Sequence, residues 1–151
     1  MKRSATFALA ASLSLAAQAD VDPDVVNAML KTTSGISREV IVENYNDCDS
    51  GITFPMTICF AYRWVAEDIR LNHEYKKTLE VAAKVDANKA LRAAQRTWVS
   101  YRDAECAFQG EIEAGGGTAE GIAVLACKQK LTRIRADQLM ELTRMYSESS
   151  R

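Results

Sequence analysis

Residues 98–139 read WVSYRDAECAFQGEIEAGGGTAEGIAVLACKQKLTRIRADQL, two helical patterns on either side of a glycine-rich break. Ahead of the break, Leu91, Ala94, Trp98, Tyr101, Glu105 and Phe108 recur at spacings of three and four, with Asp86 available as an N-cap and Glu105 as a polar intruder. Four glycines between Gly110 and Gly117 make a poor helix interior and a good turn, and Thr118 can cap the helix that follows. Beyond it, Leu131, Arg135, Leu139, Leu142 and Tyr146 form a second inward stripe. A short turn makes these two helices an antiparallel hairpin, in which residues at one level share a nearly constant index sum. Cys106 and Cys127 flank the turn almost symmetrically, and Trp98 and Arg135 share their sum. Arg135 on an apolar stripe needs a partner. The expectation is that it stacks on Trp98 and meets Asp103 or Glu105, fixing the register; the competing reading is a partner-binding arginine.

Working upstream, residues 56–84 contain no Gly or Pro. Ile58, Tyr62, Val65, Ile69, Asn72, Lys76, Leu79 and Ala83 alternate spacings of four and three, which reads as an amphipathic helix about 40 Å long with Asn72 and Lys76 as polar interruptions. Residues 46–55, NDCDSGITFP, are a loop by composition, with Cys48 inside it and Cys59 just beyond. Asp22 and Pro23 look like the N-cap and first residue of a helix through about Leu30, and Ser37 is placed to cap another through Tyr45. No strand pattern of useful length occurs. The fold expected is all-α, a small antiparallel helical bundle or hairpin with two disulfides.

The chain has 151 residues, 48% of them hydrophobic and 26% charged, with only 2 Pro and 7 Gly, a balance that excludes disorder and collagen. Lys2 and Arg3 precede an uncharged run from Ser4 to Ala17 and the small-x-small sequence Ala17, Gln18, Ala19, the pattern of a secretory signal over residues 1–19 cleaved before Asp20. The run is short for a membrane span, and no Cys follows the cleavage point to carry a lipid, so no stable membrane anchor is expected. Without residues 1–19 the chain keeps 132 residues and a net charge of −3. That balance offers no basic surface for nucleic acid. An exported chain with four cysteines is normally oxidised, which points to a periplasmic or secreted protein. Spacings of 11, 47 and 21 between successive cysteines, with a single His, do not suit a metal site or a C-x-x-C redox centre. Pairing Cys48 with Cys59 and Cys106 with Cys127 is favoured over the other two connectivities. The chain then divides into a signal (1–19), an N-terminal helical segment (20–46), the main helical domain (47–146) and a fraying tail (147–151).

Trp98-x-x-Tyr101-Arg102-Asp103-x-Glu105-Cys106, a Gly-rich turn, Cys127, and Leu131-Thr132-x-x-Arg135-Ala136-x-x-Leu139 form one ordered signature. It resembles the LprI-like lysozyme inhibitor family. Leu71-Asn72-x-x-Tyr75 and the Cys48/Cys59 pair also look like that family's pattern, so the resemblance runs from about Asp47 to Leu142. It implies a small, helical, disulfide-bonded exported domain and, by the family's name, inhibition of lysozyme. The chain departs from the lipoprotein after which the family is named in having no Cys at the signal cleavage point.

A net negative chain is drawn toward a cationic lysozyme, which speeds encounter more than it creates affinity. Candidate contact surfaces are the Cys48 to Cys59 loop and the glycine-rich turn with Glu111, Glu113 and Glu120. The alternative is a binding module for another envelope protein or for peptidoglycan. Sugar binding wants an exposed aromatic, and Trp64, off the main stripe of its helix, is the one candidate. Catalysis has little to stand on. In His73-Glu74-Tyr75-Lys76-Lys77, Lys77 stands where a zinc protease needs its second His, and neither a phosphate loop nor a nucleophile elbow is present. No cofactor is implied.

Overall fold

The computed structural model describes residues 21–148, which form five helices: α1 (Pro23–Thr32), α2 (Arg38–Asn44), α3 (Thr53–Ala83), α4 (Asn88–Ala114) and α5 (Thr118–Glu148). No strand occurs among the described residues, so the all-α reading holds. The expected signal over residues 1–19 lies outside them. Helix α5 continues through Glu148, two residues into the segment expected to fray, and residues 149–151 lie outside the described part.

Local chemistry starts the first two helices. The Asp22 carboxylate accepts from the Asp24 amide at 2.8 Å with Pro23 at the first helical position, and the Ser37 hydroxyl accepts from the Val40 amide at 3.4 Å. Helix α4 starts differently from expectation. Asp86 adopts a left-handed backbone, φ 55°, in the turn out of α3, and α4 begins behind Ala87 with no side-chain cap. At the other end Gly115, φ 63°, supplies the left-handed residue that closes α4, its amide donating to the Glu111 carbonyl.

Helix α5 is the centre of the bundle. It packs against α4, as the hairpin requires, and more extensively against α3. Trp64 meets Lys128, Arg70 meets Asp137 and Thr78 meets Thr143, so residue numbers rise together and α3 and α5 run parallel, with α4 antiparallel to both. The Arg70 guanidinium reaches Glu67 at 2.9 Å, Asp137 at 2.7 Å and the Arg133 carbonyl at 3.1 Å. Burial opposes its charge, but the hydrogen bonds to Asp137 and Glu67 outweigh that and raise its pKa. The buried Thr78 hydroxyl sits 2.8 Å from the Glu74 carbonyl, 3.2 Å from that of Leu139 and 3.0 Å from the Thr143 hydroxyl.

The described residues form two apolar clusters. Val25, Val26, Met29 and Ile41 bury against Ile58, fixing α1 and α2 on the N-terminal half of α3. Leu71, Ala136 and Leu139, with Tyr75, Leu91 and Trp98 against them, join the C-terminal half of α3 to α4 and α5. Because α3 changes partners along its length, its buried face turns. Ile58 is buried as expected, but farther along Leu71, Glu74 and Thr78 are inward, while Ile69, Asn72 and Lys76 are exposed. Helix α4 is also rotated by about one residue from its expected stripe. Leu91, Gln95, Trp98, Arg102, Cys106 and Gly110 face the bundle, and Ala94, Tyr101 and Phe108 face solvent. On α5 the inward set is Thr132, Ala136, Leu139 and Thr143 in place of Leu142 and Tyr146.

Gly110 lies close against α5: a Cβ there would lie 2.6 Å from Val124 Cγ2 and 3.3 Å from the Glu120 carbonyl oxygen. Both neighbours are stiff, one β-branched and one backbone. Gly110→Val should therefore cost about 2 kcal/mol despite removing a helix-interior glycine. Urea denaturation tests this; an unchanged or raised midpoint would show that the helices can part there freely.

Candidate functional site

Both disulfides form with the favoured connectivity, Cys48–Cys59 and Cys106–Cys127, with Cα separations of 5.3 and 5.4 Å. The first ties the α2–α3 loop to α3, and the second ties α4 to α5 between two and three turns from the hairpin tip. No free cysteine is present among the described residues, and no group of His, Cys, Asp and Glu there is arranged to hold a metal ion.

The signature residues converge on one buried arginine, and it is not the expected one. Arg102 has its guanidinium 5.3 Å from the Trp98 ring and 5.7 Å from the Trp64 ring. It pairs with Asp103 at 3.0 Å and Asp68 at 3.5 Å and lies 3.4 Å from the Thr132 hydroxyl. Asn72, exposed on α3, donates to Asp68 at 3.1 Å and so helps hold that carboxylate in place. Lys128 adds a second cation, 4.9 Å from the Trp64 ring and 3.4 Å from Asp103. Residues from α3, α4 and α5 thus meet around two indoles and two cations, an arrangement that strengthens cation–π attraction by excluding water.

Arg135 does something else. Its guanidinium donates to Gln95 at 3.1 Å and Gln138 at 3.3 Å, with no carboxylate partner, and burial lowers its pKa. The expected stack on Trp98 with Asp103 or Glu105 belongs to Arg102 instead. Glu105 is half-buried and accepts from Gln109 at 2.7 Å. Leu71 and Thr132 are buried, and Tyr75 and Trp98 pack on the Leu71 cluster. One signal in the sequence marks Arg102 as inward: a cysteine bridged to α5 must face α5, and Arg102 precedes Cys106 by one helical turn. Trp64 is not an exposed platform. It is half-buried beneath the two cations, and its indole nitrogen is buried with no hydrogen-bond partner.

Apart from Tyr101, the signature therefore knits helices together and leaves little of itself for a partner. Both nominated loops do lie at one end of the molecule, because α3 and α5 are parallel and start side by side. Between them is a groove of about 610 Å³ lined by Ile36 and Val40 from the α1–α2 region, Phe54 and Ile58 from α3, and Thr118 and Gly121 from α5. The chain segments that meet at this end are predominantly acidic. Residues 21–58 carry six acidic and two basic side chains, and residues 108–127 carry Glu111, Glu113 and Glu120 with no basic residue. The remaining described residues carry more basic than acidic side chains. His73, on the exposed side of α3, is remote from this end.

Among the described residues, no helix is long and apolar enough to cross a membrane. No solved structure matches the chain. An uncharacterized protein, R02472, of Rhizobium meliloti (strain 1021) is 34% identical over 109 residues, covering 64% of this chain and 78% of that relative. The family model described as "Lysozyme inhibitor LprI" matches residues 46–139, which takes in α3, α4, most of α5, both disulfides and every residue around Arg102. The chain belongs to the LprI lysozyme inhibitor family.

Proposed function

We propose that this chain is an exported lysozyme inhibitor that acts by protein–protein association through the acidic end of the bundle. The observation that carries this reading is the coincidence of an apolar groove with predominantly acidic chain segments at one end of a rigid, doubly bridged fold. A cationic lysozyme is steered to that end, and Phe54, 59% exposed at the groove edge, offers an apolar anchor once contact is made. Inhibition needs only that the docked surface cover the cleft that holds the two catalytic carboxylates. Residues 1–19 would direct export and be removed, placing the domain in the periplasm or outside the cell, where both disulfides persist.

The test is titration of oxidised protein into cell-wall hydrolysis assays with several lysozyme classes, beside a reduced and alkylated control. Dose-dependent inhibition by the oxidised form alone is expected, weakening as salt rises. Reversing Glu113 and Glu120 to Lys together should weaken it roughly tenfold, about 1.4 kcal/mol. Absence of inhibition of every class at ~100 μM, a weak-binding limit of about −5.5 kcal/mol, would sink the reading and leave another envelope partner or peptidoglycan in its place.

A further inference from the structure

Among the described residues, three arginines are drawn partly or wholly out of water: Arg70, Arg102 and Arg135. The first two meet carboxylates. Arg70 pairs with Glu67 and Asp137, and Arg102 with Asp68 and Asp103. Arg135 meets two neutral amides instead: its Nε donates to Gln95 Oε1 on α4, and its Nη1 to Gln138 Oε1 one turn further along α5. For Arg70, burial is outweighed by the carboxylate partners, whereas for Arg135 burial is unopposed and lowers the pKa.

The acids nearest to Arg135 in the chain are committed elsewhere. Asp137 is held by Arg70, and both oxygens of Glu141 accept from Arg144. On the α4 side, residues 87–102 include no Asp or Glu. A positive charge held partly out of water without a counter-ion opposes folding, so the fold gains little from this cation.

The surroundings of Arg135 are also one-sided in hydrogen bonding. A guanidinium has five N–H donors and no acceptor, and neither of the two bonds to glutamine uses Nη2. Each glutamine turns its acceptor oxygen to the arginine, which leaves its amide nitrogen as a further donor. The α4–α5 seam thus gathers donors around one positive charge and supplies neither an acceptor nor a negative charge to match. A carboxylate supplies both: it is planar, accepts through two oxygens, and carries a single charge that balances a single cation.

We propose that Arg135, held in place by Gln95 and Gln138 at the α4–α5 seam, is the recognition point for the carboxylate of a small ligand. Arg135 lies 17 residues along α5 from the groove-lining Thr118, about 25 Å at the helical rise. The inference therefore stands apart from the lysozyme reading and can fail separately from it. The carboxylate belongs either to a free small acid or to the end of a short peptide, and two arms of the test distinguish these.

The test is titration of oxidised, nitrogen-15-labelled protein with sodium acetate, sodium chloride being withdrawn to hold ionic strength, while the Arg135 Nε–H and the Gln95 and Gln138 side-chain amides are followed by NMR. These resonances should move along a saturating curve with a dissociation constant in the millimolar range. Arg135→Met should abolish the curve with helical circular dichroism unchanged. Arg135→Lys, which keeps the charge without the fork, should weaken binding about tenfold. N-acetyl-alanyl-alanine and its C-terminal carboxamide then identify the source: an acid form that binds more tightly than acetate points to a peptide end, equal binding to a free small acid, and the carboxamide should bind in neither case. Shifts that grow linearly without saturating would overturn the inference, as would saturation that survives Arg135→Met, a carboxamide that binds as well as the acid, or the same curve with sodium chloride alone.

Discussion

Reducing both disulfides should remove about 6 kcal/mol of stability, a large share of what a domain this size holds. In the chain-entropy picture, a bridge closing a loop of 11 residues contributes about 2.8 kcal/mol and one closing 21 residues about 3.3 kcal/mol, by constraining the unfolded chain. Domains hold roughly 5–15 kcal/mol in total, so the reduced protein reaches its unfolding midpoint at ordinary temperature if its reserve lies at the low end of that range. The two bridges close separate, non-overlapping loops, one beside α2 and the start of α3, the other inside the α4–α5 hairpin, so their contributions should add. Urea denaturation with and without a phosphine reductant, together with the Cys48→Ala/Cys59→Ala and Cys106→Ala/Cys127→Ala variants, measures the sum and its parts. A combined loss below about 2 kcal/mol would mean that the apolar clusters alone hold the fold and that a reduced control says nothing about inhibition.

Replacing Arg102 by Ala is expected to cost about 3 kcal/mol and lower the melting temperature by about 10 °C. The effect comes mainly from packing. The guanidinium fills the space between Trp64 and Trp98, so truncation forfeits two ring contacts and leaves a cavity where three helices meet. Its ion pairs contribute less, because Asp68 and Asp103 are both about two-fifths exposed and regain water when the arginine goes. Lys at this position keeps the charge but loses the flat stack and the fork, and should recover less than half of the loss. Arg135→Met provides the contrast. Arg135 bonds only to two glutamines and is held partly out of water without a counter-ion, so this exchange should change stability by less than about 1 kcal/mol. Thermal melts of the three variants decide the matter: Arg135→Met falling further than Arg102→Ala would return the register-fixing role to Arg135.

Much of the fold, and little of the candidate site, is legible in the sequence. The carboxylate of Asp22 and the hydroxyl of Ser37 announce helix starts because they satisfy amides that no helix can satisfy for itself. The even cysteine count and the near-symmetric flanking of the glycine turn by Cys106 and Cys127 pointed to the bridge that closes the hairpin. Which arginine the tryptophans hold is not legible in this way, because hydrophobic periodicity favours Tyr101 over Arg102 as the inward residue, whereas the bridge from Cys106 to α5 turns the Arg102 face toward the bundle. The groove was invisible for a different reason. Its walls come from segments as distant as Val40, Phe54 and Gly121, brought together only because α3 and α5 run parallel.

By itself, the sequence determined the all-α class, the caps of α1 and α2, the glycine break between α4 and α5, the disulfide chemistry and the resemblance carried by the Trp98–Cys106 segment, since each depends on near neighbours in the chain or on a turn short enough to set levels. Tertiary structure alone decided the rotation of α4, the turning of α3's buried face as its partners change, the capture of Arg102 rather than Arg135, and the joining of two acidic loops at one end. Those depend on which surface each helix finds to bury, and a helix with apolar residues on more than one face leaves that choice to its neighbours.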